Sequence, residues 1–448
     1  MNTISEITIE ELQQQYRLKT VSVRKTVEEY ISRIREVDQG EDGLNSVLEI
    51  NPDALQIADR LDLEGRQENQ LLYGVPILLK DNIDTADRMH TSAGALALAD
   101  SYALEDAELV KRLREQGAVI LGKTNMTEFA NYMTEGMPNG YSSRGGQVRN
   151  PYNRREDPSG SSSGSGVAVA ANLCVASIGS DTCNSIIGPG TANGIVGFRP
   201  SMGAVSQKGI IPISFTLDTA GPFTRTVRDA ALMFAGLTGK ALVQDIDEDI
   251  RGKVVGYNVW KSKDSEELLP YTEQAVAALE KAGAIIKRIS IPEAPQIMEI
   301  MRYEFKSAMN SYLSRLPKEY PIRTLADIIE FNKIHSEQAL RYGQSLLIDA
   351  QKNASGRLDE AEYLAVLRDR QVRLLEVREQ LRSVDFCLMY SYNSILMYTG
   401  FPAITIPYGW KANGMPAVLQ MTAISDEKLL QHAYTVERLL GKRVKPDI

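Results

Sequence analysis

The chain has 448 residues, 43% of them hydrophobic and 24% charged, with a net charge of −8. This balance is ordinary for a globular protein, offers no basic footprint for nucleic acid, and argues against an anionic membrane surface. Three scattered cysteines, Cys174, Cys183 and Cys387, make neither a disulfide framework nor a zinc set.

The elements follow in chain order. The N-terminus, MNTISEITIEELQQQ, is polar and acidic and lacks the pattern of a signal peptide. No apolar run reaches the ~18 residues of a membrane span. Together these features point to a cytoplasmic setting. Thr8 and Glu11 have capping-box spacing and predict a helix start. A second helix is predicted over residues 22–37, with Val23, Val27, Tyr30, Ile31 and Ile34 on one packed face. YGVPILLKDNID then reads as a buried strand that stops at Lys80. LVKRLREQGAVILGK and AVAALEKAGAIIKRISIP share one grammar: a helix, a stop at Gly117 or Gly283, and a short strand. Residues 300–382 read as mostly helical, ending in a long helix with an apolar stripe and charge outside. GFPAITIPYGW and PAVLQMTAI return to strand, and DEKLLQHAYTVERLLG closes the chain as helix before Gly441. This alternation predicts an α/β fold: one large mixed sheet covered by helices on both faces, with a helical insertion near 300–382.

Histidine, the usual base of hydrolases, is scarce. His90, His335 and His432 all lack a recognisable nucleophile setting and read as surface or structural residues. GSSSG at 160–164 fits G-x-S-x-G literally, centred on Ser162, but no histidine-bearing motif follows it. Metal-binding H-E-x-x-H and the phosphate-cradling P-loop pattern are missing, so no metal or cofactor is expected. Three features remain. Lys80 ends an apolar strand, where desolvation would favour its neutral, basic form; a snorkelling surface lysine is the alternative. PSGSSSGSG at 158–166 is linker-like in composition, yet its hydroxyls can relay a proton. ASIGSDTCNSIIGPG carries Ser185 on a turn whose successive backbone N–H groups can form an oxyanion nest, or else an ordinary Ser-type turn.

Together KDNID, PSGSSSGSG and GSDTCNSII resemble, in order and spacing, the amidase signature family. GYSSRGGQVRNPYNRREDPSGSSSGSGVAVAAN and DTAGPFTRTVRDAALM look most like its peptide-amidase-like members. The resemblance implies that Ser185 is the acyl-forming nucleophile. It makes Ser161 a bridging serine after a cis Gly160–Ser161 bond, and Lys80 the base. Backbone N–H groups of Thr182, Cys183, Asn184 and Ser185 would form the oxyanion hole, with Ser162 in support. One departure stands out: Asn184 precedes the nucleophile where the family usually has glycine. Asparagine tolerates positive φ better than other side chains, so the turn is expected to survive. Cys183 beside it offers a thiol as a lesser alternative nucleophile.

The resemblance further implies one amidase domain over 1–448, with its signature core at about 73–240. The region at about 300–382 would shape the substrate pocket, and 383–448 would supply C-terminal strands and a helix. The implied activity is hydrolysis of a small or peptide C-terminal amide, with no nucleic acid or membrane as partner. Two alternatives accompany it: the glutaminase component of a tRNA-dependent amidotransferase, and an inactive member acting as a binding protein. The sequence does not reveal the oligomeric state.

Overall fold

Strands supply the frame on which the candidate residues hang. In the computed structural model, which describes residues 4–241, 249–258, 265–294, 296–389 and 394–448, thirteen strands are present among the described residues. They are β1 (Val47–Ile50), β2 (Pro76–Lys80), β3 (Val119–Thr124), β4 (Tyr141–Ser142), β5 (Gly146–Gln147), β6 (Ala176–Asp181), β7 (Val196–Arg199), β8 (Thr219–Thr224), β9 (Val254–Asn258), β10 (Ile285–Ile289), β11 (Phe386–Met389), β12 (Ala403–Trp410) and β13 (Pro416–Thr422). Eleven form one sheet in the order β1-β3-β2-β6-β8-β7-β12-β13-β11-β9-β10, and β4 and β5 form a separate hairpin. The sheet is mixed. β2 runs parallel to both β3 and β6, whereas β6 and β8 are antiparallel. Every residue of β2, β3 and β6 is buried. Such continuous burial is what a sheet covered on both faces requires. The helices Ser163–Ala170, Val227–Thr238 and Asp426–Leu440 pack against β6, β8 and β12 respectively.

Local chemistry sets the element ends. Thr8 caps the first helix, Ile9–Arg17, and Glu11 returns the bond to the Thr8 backbone. The next helix starts at a Ser22 cap, and Val23, Val27, Tyr30, Ile31 and Ile34 are buried as their spacing predicts. Gly117 and Gly283 both adopt left-handed φ, +81° and +102°, just past the helices Glu108–Glu115 and Ser265–Lys281.

Helices do fill the region after residue 296: Ile297–Leu313, Leu325–Ile334, Ser336–Ala339, Ser345–Asn353 and Ala361–Arg382. The last differs from the single stripe expected of it. It buries Tyr363, Val366, Val377 and Leu381 but leaves Leu364, Val372 and Leu375 exposed. Leu364 follows Tyr363 directly, so it lies about 100° round the helix. Val372 and Leu375 fall further round still, so the exposed residues form a second apolar face largely opposite the packed one.

Candidate active site

Lys80 is the last residue of β2 and Asp181 the last of β6. The two strands are parallel neighbours, so their chains leave the sheet side by side, where open α/β sheets place their crevices. Lys80 is wholly buried. Its Nζ lies 2.7 Å from Ser161 Oγ, 2.9 Å from Ser180 Oγ and 3.2 Å from the Ser180 carbonyl oxygen. Ser161 Oγ lies in turn 2.9 Å from Ser185 Oγ. The lysine and the two serines, far apart in sequence, thus form one hydrogen-bonded line.

The serine-rich loop is core material. Ser161, Ser162, Ser163 and Ser165 are all fully buried, and residues Ser163–Ala170 form a helix. Its glycines permit close packing. A Cβ on Gly160 would collide with Thr127 Oγ1, and one on Gly164 with the carbonyl oxygens of Asn125 and Ser46. The Gly160–Ser161 peptide bond is cis, and the Ser161 carbonyl accepts from the Thr127 amide at 3.0 Å. Ser162 meets the Ser180 backbone, whose carbonyl oxygen Lys80 also contacts. Its Oγ donates to the Ser180 carbonyl at 3.0 Å and accepts from the Ser180 amide at 3.3 Å.

The turn after β6 is tied down from both sides. Asp181 Oδ2 accepts the Ile186 amide at 2.7 Å, so the carboxylate closes the turn that carries Thr182, Cys183, Asn184 and Ser185. Asp181 Oδ1 meets Arg199 Nε at 3.1 Å, with both side chains fully buried. Thr182 Oγ1 donates to Asp218 Oδ1 at 2.7 Å. Ser185 is 8% exposed, and Cys183 and Asn184 are half-buried. Asn184 is not among the left-handed residues, so the expected use of positive φ does not arise. Its side chain instead fills the space over Gly188, where a Cβ would sit 2.8 Å from Asn184 Nδ2.

Burial lowers the Lys80 pKa from 10.5 to about 7, against the opposing pull of the Asp181 and Asp218 charges. A neutral amine has two N–H groups and one lone pair. With the N–H groups on the two Ser180 oxygens, the lone pair is left for Ser161. Hydroxyl protons rotate freely enough for the line to conduct in either direction.

The histidines stand elsewhere. His90 Nδ1 meets Glu49 at 3.1 Å, His335 packs on Phe331, and His432 is buried against Phe386. Among the described residues no cluster of His, Cys, Asp or Glu is suited to a metal ion, and no helix is long and apolar enough to cross a membrane.

The chain as a whole has known relatives. A family model described as Amidase matches residues 25–393. The chain belongs to the amidase signature family. Within that family it is similar to a native peptide amidase from Stenotrophomonas maltophilia solved by X-ray crystallography. The two share 36% identity and a TM-score of 0.92, over 100% of this chain and 99% of the other. A probable amidase of Arabidopsis thaliana is 34% identical over 99% of this chain and 92% of its own length. A glutamyl-tRNA(Gln) amidotransferase component of Alkaliphilus metalliredigens is 29% identical over 98% and 97%. As a family member with these relatives, the protein is an amide-hydrolysing enzyme.

Sequence reasoning left out several side chains that touch the line or hold its neighbours. Ser180 holds the Lys80 amine, and Asn82 Nδ2 donates to Ser180 Oγ at 2.9 Å. Asn82 stands two residues past Lys80, in the turn that follows β2. Asp218, distant in sequence, gave no signal.

Proposed function

We propose that the protein hydrolyses a carboxamide through an acyl-enzyme on Ser185, with Ser161 as relay and Lys80 as base. The observation that supports this most directly is the unbroken line from Lys80 Nζ through Ser161 Oγ to Ser185 Oγ, at 2.7 and 2.9 Å. A serine hydroxyl is a weak nucleophile at neutral pH and needs a neighbouring base. As Ser185 Oγ attacks the amide carbon, its proton passes to Ser161, and the Ser161 proton passes to neutral Lys80. The C–N bond then breaks, and the proton returns along the line to the leaving nitrogen, releasing ammonia or an amine. Water attacks the ester by the same relay and frees the acid. The N–H groups of residues 182–185 are proposed to hold the developing oxyanion, where losing one donor costs about 2.7–4 kcal/mol in comparable hydrolases.

The substrate class we propose is a small amide or a peptide C-terminal amide. The 36% identity to a peptide amidase along the full chain supports it. The chain works as one domain in this reading, with residues 300–382 shaping the pocket. The test is ammonia release from a panel of peptide and simple amides, with Ser185→Ala as control. Turnover that survives Ser185→Ala would end the proposal.

One observation favours a second reading, a glutamine-hydrolysing component of an amidotransferase: the match to such a component runs over 98% of the chain. That reading requires a partner protein to co-purify, whereas a free amidase turns over alone.

A further inference from the structure

We propose that Asp218 is a positioning residue for the reaction proposed above, fixing the oxyanion turn through Thr182 and stabilising the Lys80 ammonium that forms when the base takes its proton. The inference rests on that reading of Lys80, Ser161 and Ser185.

Asp218 lies at the end of the loop that leads into β8 and is 7% exposed. One carboxylate oxygen accepts from Thr182 Oγ1 at 2.7 Å. The other accepts the amides of Ile213 and Ser214, at 2.8 and 3.0 Å. Thr182 is the first residue of the turn that ends at Ser185, so this bond fixes where the turn leaves the sheet. The loop is itself anchored by Glu304, a fully buried carboxylate on the helix Ile297–Leu313. Glu304 accepts from Ser214 Oγ at 2.5 Å, from the Thr216 amide at 3.0 Å and from Tyr363 OH at 2.6 Å. The oxyanion turn is thereby connected, through Asp218, to two helices of the 297–382 region.

The charge argument is separate. Asp181 and Asp218 are the two carboxylates whose charges act on Lys80. Asp181 is compensated by Arg199. The donors to the Asp218 carboxylate are a hydroxyl and two backbone amides, all neutral. Unlike Asp181, Asp218 has no cation bonded to it among the described residues, and its negative charge adds to that of Asp181 in favouring a buried ammonium. Burial pushes the Asp218 carboxyl up to about 6, with the negative charge of Glu304 adding to the effect. It is ionised above that pH, across the range in which Lys80 becomes neutral. The two carboxylates that act on Lys80 thus come from β6 and from the loop before β8, with Glu304 behind the second.

The experiment compares kcat/KM against pH for the full-length enzyme and for Asp218→Asn, which keeps the shape and an acceptor for Thr182 but removes the charge. Losing an attractive charge weakens Lys80 as a base. The acid-limb midpoint should fall by about half a pH unit or more, and the plateau rate by about tenfold. Thr182→Val keeps the charge and removes the bond. It should lower kcat with the midpoint unmoved, and Thr182→Ser should restore kcat. An unmoved midpoint in Asp218→Asn, or full kcat in Thr182→Val, overturns the proposal. If Asp218→Asn fails to fold, the Thr182 pair alone decides whether the turn depends on this contact. A Lys80→Met control that keeps the same acid limb would instead overturn the assignment of the base, a separate failure.

Discussion

The depressed pKa of Lys80 makes a quantitative prediction about rate. At its ordinary 10.5, a lysine at pH 7 is neutral in about 3 molecules in 10,000; at about 7 it is neutral in about half. Burial therefore supplies about a thousand times more free base at neutral pH, equivalent to about 5 kcal/mol in favour of the uncharged amine. With a base of that pKa, kcat/KM should rise about tenfold from pH 6 to pH 8 and flatten above it. The assay is ammonia release from an amide with no group titrating between pH 5 and 9. Lys80→Met should lose the rising limb together with most of the turnover, on the order of 10²–10⁴-fold. A rate independent of pH between 6 and 8 would refute the reasoning. So would a Lys80→Met variant that retains the limb, because the titrating group would then be another.

Other residues give sharper contrasts. Ser161→Ala should abolish turnover, whereas Ser162→Ala should remain active and lose ~1 kcal/mol of stability from its bonds to Ser180, read from the urea midpoint. Glu128 is buried with Oε1 unpartnered, and burial raises its carboxyl from 4.5 to about 7. Folding therefore favours its protonated form, and its contribution to stability is present at low pH and lost as pH rises from 4.5 through about 7. Glu128→Gln should gain about 2–3 kcal/mol relative to the native chain between pH 5 and pH 8; equal urea midpoint shifts at both pH values would contradict this. Arg199→Met should cost about 3–5 kcal/mol in a urea titration, because it leaves Asp181 charged, buried and without its cation.

What the sequence disclosed follows from how locally each feature is encoded. β2 and β3 were legible because each is a continuous apolar run bounded by glycine or a polar stop. Lys80, Ser161 and Ser185 were legible through ordered short motifs, and the structure brings them within hydrogen-bonding reach. β1 was not read: Val47–Ile50 is four residues long and is defined by pairing with β3. The hairpin β4–β5 has two residues per strand and carries no periodic signal. The exposed Leu364, Val372 and Leu375 share apolarity with the buried set, and composition alone cannot say which face a helix turns inward. The roles of Ser180 and Asp218 depend on contacts across 100 and 36 residues, which no local pattern records.

The order of the sheet also divides the labour of the chain. The first six strands in space, β1-β3-β2-β6-β8-β7, all come from residues 47–224, and the other five from residues 254–422. Lys80, Ser161 and Ser185 belong wholly to the first set. The two sets meet at one seam, where β7 pairs with β12 at Ala403–Arg199 and Ile404–Phe198. Arg199, whose guanidinium also holds Asp181 and the Phe401 carbonyl, sits on that seam. The first set therefore carries the whole line from Lys80 to Ser185, and the second half reaches it through this arginine and through the Glu304 anchor of the Asp218 loop.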